Sequence, residues 1–252
     1  MSHRFTGKVA LITGGSSGIG RATAQALARE GAAVYVTGRD LAALEQTAKS
    51  IAEEGGTVAA MAGDVTVEDD VRAVVTAAVR RFGALDVAVN AAGVLGAVAP
   101  LADVDEPSWQ RIIGTNLTGV FLSMKHEIER MRGRGGSIVN VASNIGAHRR
   151  APGVGAYVAA KAAVSALSRN TAREYIGGGI RINAVSPGAS DTTMSLSPGE
   201  TPDDRAARLA DSVPLGRVGS LDEVVSAVLW LASDESGFAV GHDLVVDGGV
   251  TA

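Results

Sequence analysis

The sequence predicts an α/β fold, a doubly wound parallel sheet of Rossmann-like form in a single domain, and three observations carry that prediction. Short apolar runs alternate with longer amphipathic segments along all 252 residues, the pattern of repeated βα units. The runs are almost continuously apolar, as strands covered by helices on both faces must be. Polar residues then collect where the runs stop, at Thr13, Asp64, Asn90, Ser143 and Pro187-Gly188. These are the C-terminal strand ends, where open α/β sheets bind ligands.

The elements follow in order. Val9 to Ile12 is the first strand, and the amphipathic segment Arg21 to Glu30 the first helix. Between them lies Thr13-Gly14-Gly15-Ser16-Ser17-Gly18-Ile19-Gly20. Strand, glycine turn and helix form the context of a dinucleotide-binding loop. Gly14 permits the sharp turn, Gly18 a close backbone approach to a pyrophosphate, and Gly20 close packing of helix on strand. The phosphates would meet the unpaired N–H groups of the helix N-terminus, with the Ser16 and Ser17 hydroxyls beside them. No Lys-Ser or Lys-Thr pair closes the loop, so it is not a nucleotide-hydrolysing P-loop.

Val34 to Thr37 is the second strand, and Asp40 caps a helix over Leu41 to Glu54, where apolar residues recur at helical spacing. Val58 to Ala62, Leu85 to Val89, Ser137 to Val141, Ile180 to Val185 and Asp243 to Val246 read as the remaining strands. Helices are predicted over Val67 to Phe82, Trp109 to Met131, Ala156 to Tyr175 and Leu221 to Ala232.

Composition narrows the function. A net charge of −4 argues against nucleic acid or an anionic membrane as the main partner. Cysteine is absent, which excludes disulfides and thiolate metal sites, and the four histidines show no metal-ligand spacing. The start, Met1 to Lys8, lacks an apolar signal stretch, and the most apolar helix, Val224 to Ala232, is short for a bilayer. A cytoplasmic protein without a metal is expected.

Tyr157-Val158-Ala159-Ala160-Lys161 carries the sharpest chemistry. Residues four apart share a helix face. An ammonium one turn from a phenol favours phenolate and lowers its pKa from about 10. A tyrosine so tuned can donate a proton to a forming alkoxide or take one from an alcohol.

Together the glycine loop, Gly63-Asp64-Val65, Asn90-Ala91-Ala92-Gly93, Asn116, Ser143, Tyr157/Lys161, Pro187-Gly188 and the closing Gly241 to Gly249 resemble the short-chain dehydrogenase/reductase family over nearly the whole chain. The resemblance implies a nicotinamide-dependent oxidoreductase acting on a ketone or secondary alcohol. Tyr157 would be the general acid/base, Ser143 would hold the substrate oxygen, and Lys161 would bind the nicotinamide ribose and depress the Tyr157 pKa. Asn116 would hold a water that links Lys161 to solvent. Asp64 and Val65 would meet the adenine, Asn90 and Gly93 the adenosine ribose, and Pro187, Gly188 and Thr192 the carboxamide. The segment 189–211 would be a substrate lid, and the assembly a homotetramer. Three departures stand out: Ser190 after Pro-Gly-x, Ala91 in the Asn-Ala-Ala-Gly stretch, and one extra residue between Ser143 and Tyr157.

NADP(H) is the expected cofactor. An NAD site places an acid at the end of the second strand. Here Gly38 stands at that place and Arg39 follows, a planar fork suited to a 2′-phosphate. An NAD(H)-dependent alcohol or sugar dehydrogenase with the same site is the alternative. A catalytically silent nucleotide-binding module is the alternative of another class, and it predicts a broken catalytic set. His148, Arg149 and Arg150 stand at the expected pocket rim, to attract an anion or simply as a solvated face.

Overall fold

A computed structural model describes residues 3–96, 98–197 and 199–252. Among them, seven strands form one sheet in the order β3-β2-β1-β4-β5-β6-β7, every neighbouring pair parallel. The strands are β1 Val9–Thr13, β2 Ala33–Gly38, β3 Thr57–Ala62, β4 Val87–Asn90, β5 Gly136–Val141, β6 Ile180–Pro187 and β7 Asp243–Val246. Strand order reverses between β1 and β4, which opens a crevice beyond their C-terminal ends.

The helices are α1 Gly18–Arg29, α2 Leu41–Glu53, α3 Glu68–Phe82, α4 Glu106–Ile113, α5 Gly119–Met131, the short turn α6 Asn144–Ala147, α7 Gly155–Tyr175, α8 Pro202–Ala210 and α9 Leu221–Ala232. Successive strand residues point to opposite faces, so each strand feeds two cores. Ile12, Val34 and Val139 pack with Leu27, Leu44 and Val228 of α1, α2 and α9. Leu11, Ala88 and Ile138 pack with Val74, Ile128 and Val164 of α3, α5 and α7.

The structure differs from the sequence reading in three places. The single helix expected over Trp109 to Met131 is two helices joined by a π turn, Gly114–Thr118. The Asn116 amide donates to the Ile112 carbonyl one turn back and to Val94, and Val94 N–H donates to its Oδ1. Such an inserted residue is a frequent feature of functional sites. Gly119 lets the turn approach Val65, whose Cγ2 would lie 2.7 Å from a Cβ there. Helix α8 lies inside the expected lid, a segment to which the sequence reading assigns no element; Thr201 and Asp204 form its capping box. Of that lid, Pro198 lies outside the described residues, as do Met1 and Ser2 of the N-terminal stretch.

Asn90 is the third difference. Its side chain does not face the crevice. It is buried, and its Nδ2 donates to Glu127 Oε2 and to Asn140 Oδ1, each at 3.0 Å. Asn140 donates onward to Ser168 Oγ at 2.9 Å. This network ties β4 and β5 to α5 and α7. Burial pushes the Glu127 carboxyl up to about 8, only partly opposed by the Asn90 hydrogen bond. At neutral pH Glu127 is therefore mainly an uncharged acid in the folded chain and a carboxylate in the unfolded one. Its stabilising contribution is full below its ordinary pKa and falls as pH rises toward about 8. Urea unfolding between pH 5 and pH 8 should show the wild type losing a few kcal/mol relative to Glu127→Gln, at about 1.4 kcal/mol per pKa unit. Parallel pH profiles for the two proteins would contradict a neutral Glu127.

Candidate active site

The glycine loop is packed so tightly that only glycine fits at two of its positions. A Cβ on Gly20 would collide with the Gly14 carbonyl oxygen, and one on Gly14 (φ +68°) would lie 2.8 Å from the Ala92 nitrogen. The loop thus closes on the end of β4. At Gly18 (φ +51°) the space is open except for the Thr192 methyl at 3.4 Å, so the loop faces the segment after β6 across the crevice. Ser17, at the N-cap of α1, makes no side-chain cap. The helix N-terminus keeps free N–H groups directed at the crevice. An open backbone cradle ending on an uncapped helix fits a dinucleotide pyrophosphate. Gly14, Ser16, Ser17, Gly18, Ile19 and Gly20 all belong to this cradle.

At the end of β2, Arg39 is exposed. Gly38 leaves space before Ser16, since a Cβ at Gly38 would still lie 3.6 Å from Ser16 Oγ. Asp40 is occupied as a helix cap, accepting from Ala43 N–H at 3.1 Å. Arg21, which in sequence is only part of an amphipathic helix, donates to the Ser16 carbonyl and so braces the cradle. Asp64 accepts from the Thr66 amide and hydroxyl at 2.9 and 2.8 Å, and Val65 beside it is buried.

The segment after β6 is fastened from two sides. Gly188 packs on Asp247, whose Cβ would lie 2.7 Å from an added methyl. Arg205 of α8 is buried. It donates to Asp191 Oδ1 at 2.7 Å, to Ser195 Oγ at 3.0 Å and to the Thr192 carbonyl at 3.3 Å. A guanidinium so placed ties α8 to Thr192. Sequence reasoning misses it because Arg205 sits among surface-type residues.

The catalytic candidates converge where β5 and α7 meet the crevice. Ser143 caps α6, its Oγ accepting from Ile145 N–H at 3.1 Å, and it hydrogen-bonds Tyr157. Lys161 is buried, its Nζ donating to the Val141 carbonyl at 2.7 Å and standing 5.8 Å from the Tyr157 ring centroid. Gly93 lies between Asn116 and Lys161; a Cβ there would be 2.9 Å from Asn116 Oδ1 and 3.6 Å from Lys161 Nζ.

Burial decides the protonation of both groups. It lowers Lys161 to about 8. It raises the Tyr157 phenol above its usual value, against the weaker pull of the Ser143 hydrogen bond. The expected depression of Tyr157 by Lys161 is therefore not what dominates here: the phenol is a neutral donor. Its surroundings are apolar, with Ile112, Val154 and Ala156 buried around it and Val94, Leu95, Trp109, Ile145 and Val158 packed alongside. Among the described residues no group of His, Cys, Asp or Glu is placed to hold a metal ion.

Known proteins are similar to this chain over its whole length. A family model described as enoyl-(acyl carrier protein) reductase matches residues 14–251. The cis-4-hydroxycyclohexanecarboxylate dehydrogenase of Sinomonas cyclohexanicum is 43% identical, with 100% of both chains covered. The cyclohexanol dehydrogenase of Acinetobacter sp. (strain SE19) is 40% identical, covering 100% of this chain and 98% of its own. Among solved structures, a levodione reductase superposes with a TM-score of 0.93 at 36% identity, covering 98% of each chain. Crevice, fold and these full-length similarities together place the chain in the short-chain dehydrogenase/reductase family, as an NAD(P)-dependent oxidoreductase.

Proposed function

We propose that the chain interconverts alicyclic secondary alcohols and their ketones with NADP(H), using Tyr157 as the general acid/base. The observation that carries this reading is the convergence of Ser143, Tyr157 and Lys161 beside an apolar wall at the strand switch point. That wall suits a compact carbocycle, and the similar proteins named for cyclohexane-ring alcohols support the choice.

When bound, the nicotinamide supplies or accepts the hydride. The chain's own residues handle the proton. Ser143 donates to the substrate oxygen and holds it near the phenol. In ketone reduction the neutral Tyr157 donates to the alkoxide as it forms. In alcohol oxidation the Lys161 ammonium favours the phenolate that must accept the proton. Both side-chain donors of Asn116 are taken by Val94 and Ile112. A relay water would thus be held by the free lone pair of its Oδ1 or by the main chain of the π turn. Lys161 contributes to the ribose site, Asp64 and Val65 to the adenine site, and Pro187, Gly188 and Thr192 to the carboxamide site. Asn90 lines the adenosine ribose through its main chain, with Gly93 beside it.

The segment 189–211 serves as the substrate lid, with Arg205 as its pin. We assign the assembly as a homotetramer in the cytoplasm. Among the described residues, edge strand β7 is unpaired on one side, and Trp230 of α9 and Phe238 are exposed, the kind of apolar edge that subunits cover. No helix among the described residues is long and apolar enough to cross a membrane.

Tyr157→Phe should keep fold and cofactor affinity yet lose about 10²–10⁴-fold in kcat; wild-type turnover by that variant would refute the assignment. The NADP(H) choice rests on Gly38 and Arg39. Titration of Arg39→Ala should show NADPH binding weakened roughly ten- to a hundredfold, as for loss of one charge-assisted contact of about 1.5–3 kcal/mol. NADH binding should hardly change. Tighter NADH binding by the wild type would reverse the assignment.

A further inference from the structure

The turn that carries Ser143 is anchored on elements other than the strand it leaves. Gly146 (φ +153°) lies directly on α7, where a Cβ would stand 2.9 Å from Ala162 N and 3.1 Å from the Lys161 carbonyl carbon. The turn is closed by Arg149 N–H donating to the Asn144 carbonyl at 2.7 Å and Gly146 N–H to that of Arg149 at 2.9 Å. Two side chains then reach β7 and the residues after it. Asn144 Nδ2 donates to Asp247 Oδ2 at 3.2 Å, and His148 Nε2 lies 2.9 Å from Asp243 Oδ2.

Asp243 is the unusual member. Its side chain is 0% exposed, against 22% for His148. A carboxylate so buried is costly unless fully partnered, and here it has three partners on three elements. Ser186 of β6, two residues before Gly188, donates to Oδ1 at 2.6 Å. Ser165 of α7, one turn beyond Lys161, hydrogen-bonds it as well, and His148 completes the set. Burial pushes the carboxyl up, but these bonds outweigh it and hold it below the usual carboxylate range. Asp243 therefore joins the strand leading to Pro187-Gly188, the helix of Tyr157 and Lys161, and the turn of Ser143.

We propose that His148 is a positioning residue for the reaction: through Asp243 it holds the Ser143 turn against α7 and so sets the Ser143–Tyr157 geometry. The proposal rests on the roles assigned above to Ser143 and Tyr157. It also corrects the expectation for the pocket rim. His148 faces β7, and only Arg149 and Arg150 of that trio are exposed. Ser143 and Tyr157 stand on separate elements, so their spacing depends on how turn and helix are fastened. Misplacement of catalytic groups by about 1 Å costs up to roughly 10²-fold in rate.

Two variants separate the hydrogen bond from mere bulk. His148→Leu removes the donor, whereas His148→Gln keeps an N–H able to reach Asp243. Amide hydrogen exchange over 143–150, which needs no substrate, should be faster in His148→Leu and near wild type in His148→Gln. With an alicyclic alcohol that the wild type oxidises, kcat should fall roughly tenfold or more in His148→Leu and recover in His148→Gln. NADPH affinity, titrated by fluorescence, should stay within about twofold in both. Unchanged exchange in His148→Leu, or equal losses in both variants, would overturn the proposal. So would a rise in the alcohol KM alone, which would mean that His148 touches substrate. If the wild type turns over no alcohol, the reading of the reaction fails, and the exchange experiment still decides the clamp.

Discussion

A buried lysine ammonium with no acidic partner among the described residues is the group around which the site is arranged. Lys161 has one neutral acceptor, the Val141 carbonyl, and burial brings it down to about 8. Keeping a cation there opposes folding, and the surrounding structure holds it in place. Gly93 admits the side chain beside Asn116, Gly146 lets the Ser143 turn lie on its helix, and α7 runs unbroken from Gly155 to Tyr175. Under the proposed reaction this is stability given up where a charge is used, the usual relation between function and fold.

Two further buried ionisable groups follow different logic. Asp243 is charged and fully partnered, and it joins three elements at the site. Glu127 has a single hydrogen bond, from Asn90, and resolves its burial by staying protonated. In each of the three groups the cost of burial, weighed against the partners present and set on the group's ordinary pKa, decides the charge state. The apolar environment that raises Tyr157 is the same feature on which the proposed alicyclic substrate rests.

Much of this is legible in the sequence. Periodicity locates the strands and most helices because the sheet is buried on both faces. The glycine loop is legible because three of its glycines answer separate steric demands. What escapes are features defined by long-range contacts. Asn90 looks like a crevice residue from its strand-end position, but the side-chain alternation of β4 turns it into the core. The break at Gly114–Thr118 is hidden because apolar spacing continues through it, and only the Asn116 bonds to Val94 and Ile112 reveal the inserted residue. Arg205 and His148 read as surface charges because their partners, Asp191 and Asp243, lie 14 and 95 residues away.

The central claim is direct hydride transfer between a carbinol carbon and a nicotinamide. The most direct measurement incubates the protein with NADP⁺ and a panel of secondary alcohols, cyclohexanols included, carrying deuterium at the carbinol carbon. The reduced cofactor is then analysed by absorbance and mass. The account predicts reduced nicotinamide bearing one deuterium from the alcohol and none from solvent. Cofactor that binds but is never reduced by any alcohol in the panel, or that takes its hydrogen from solvent, would contradict it.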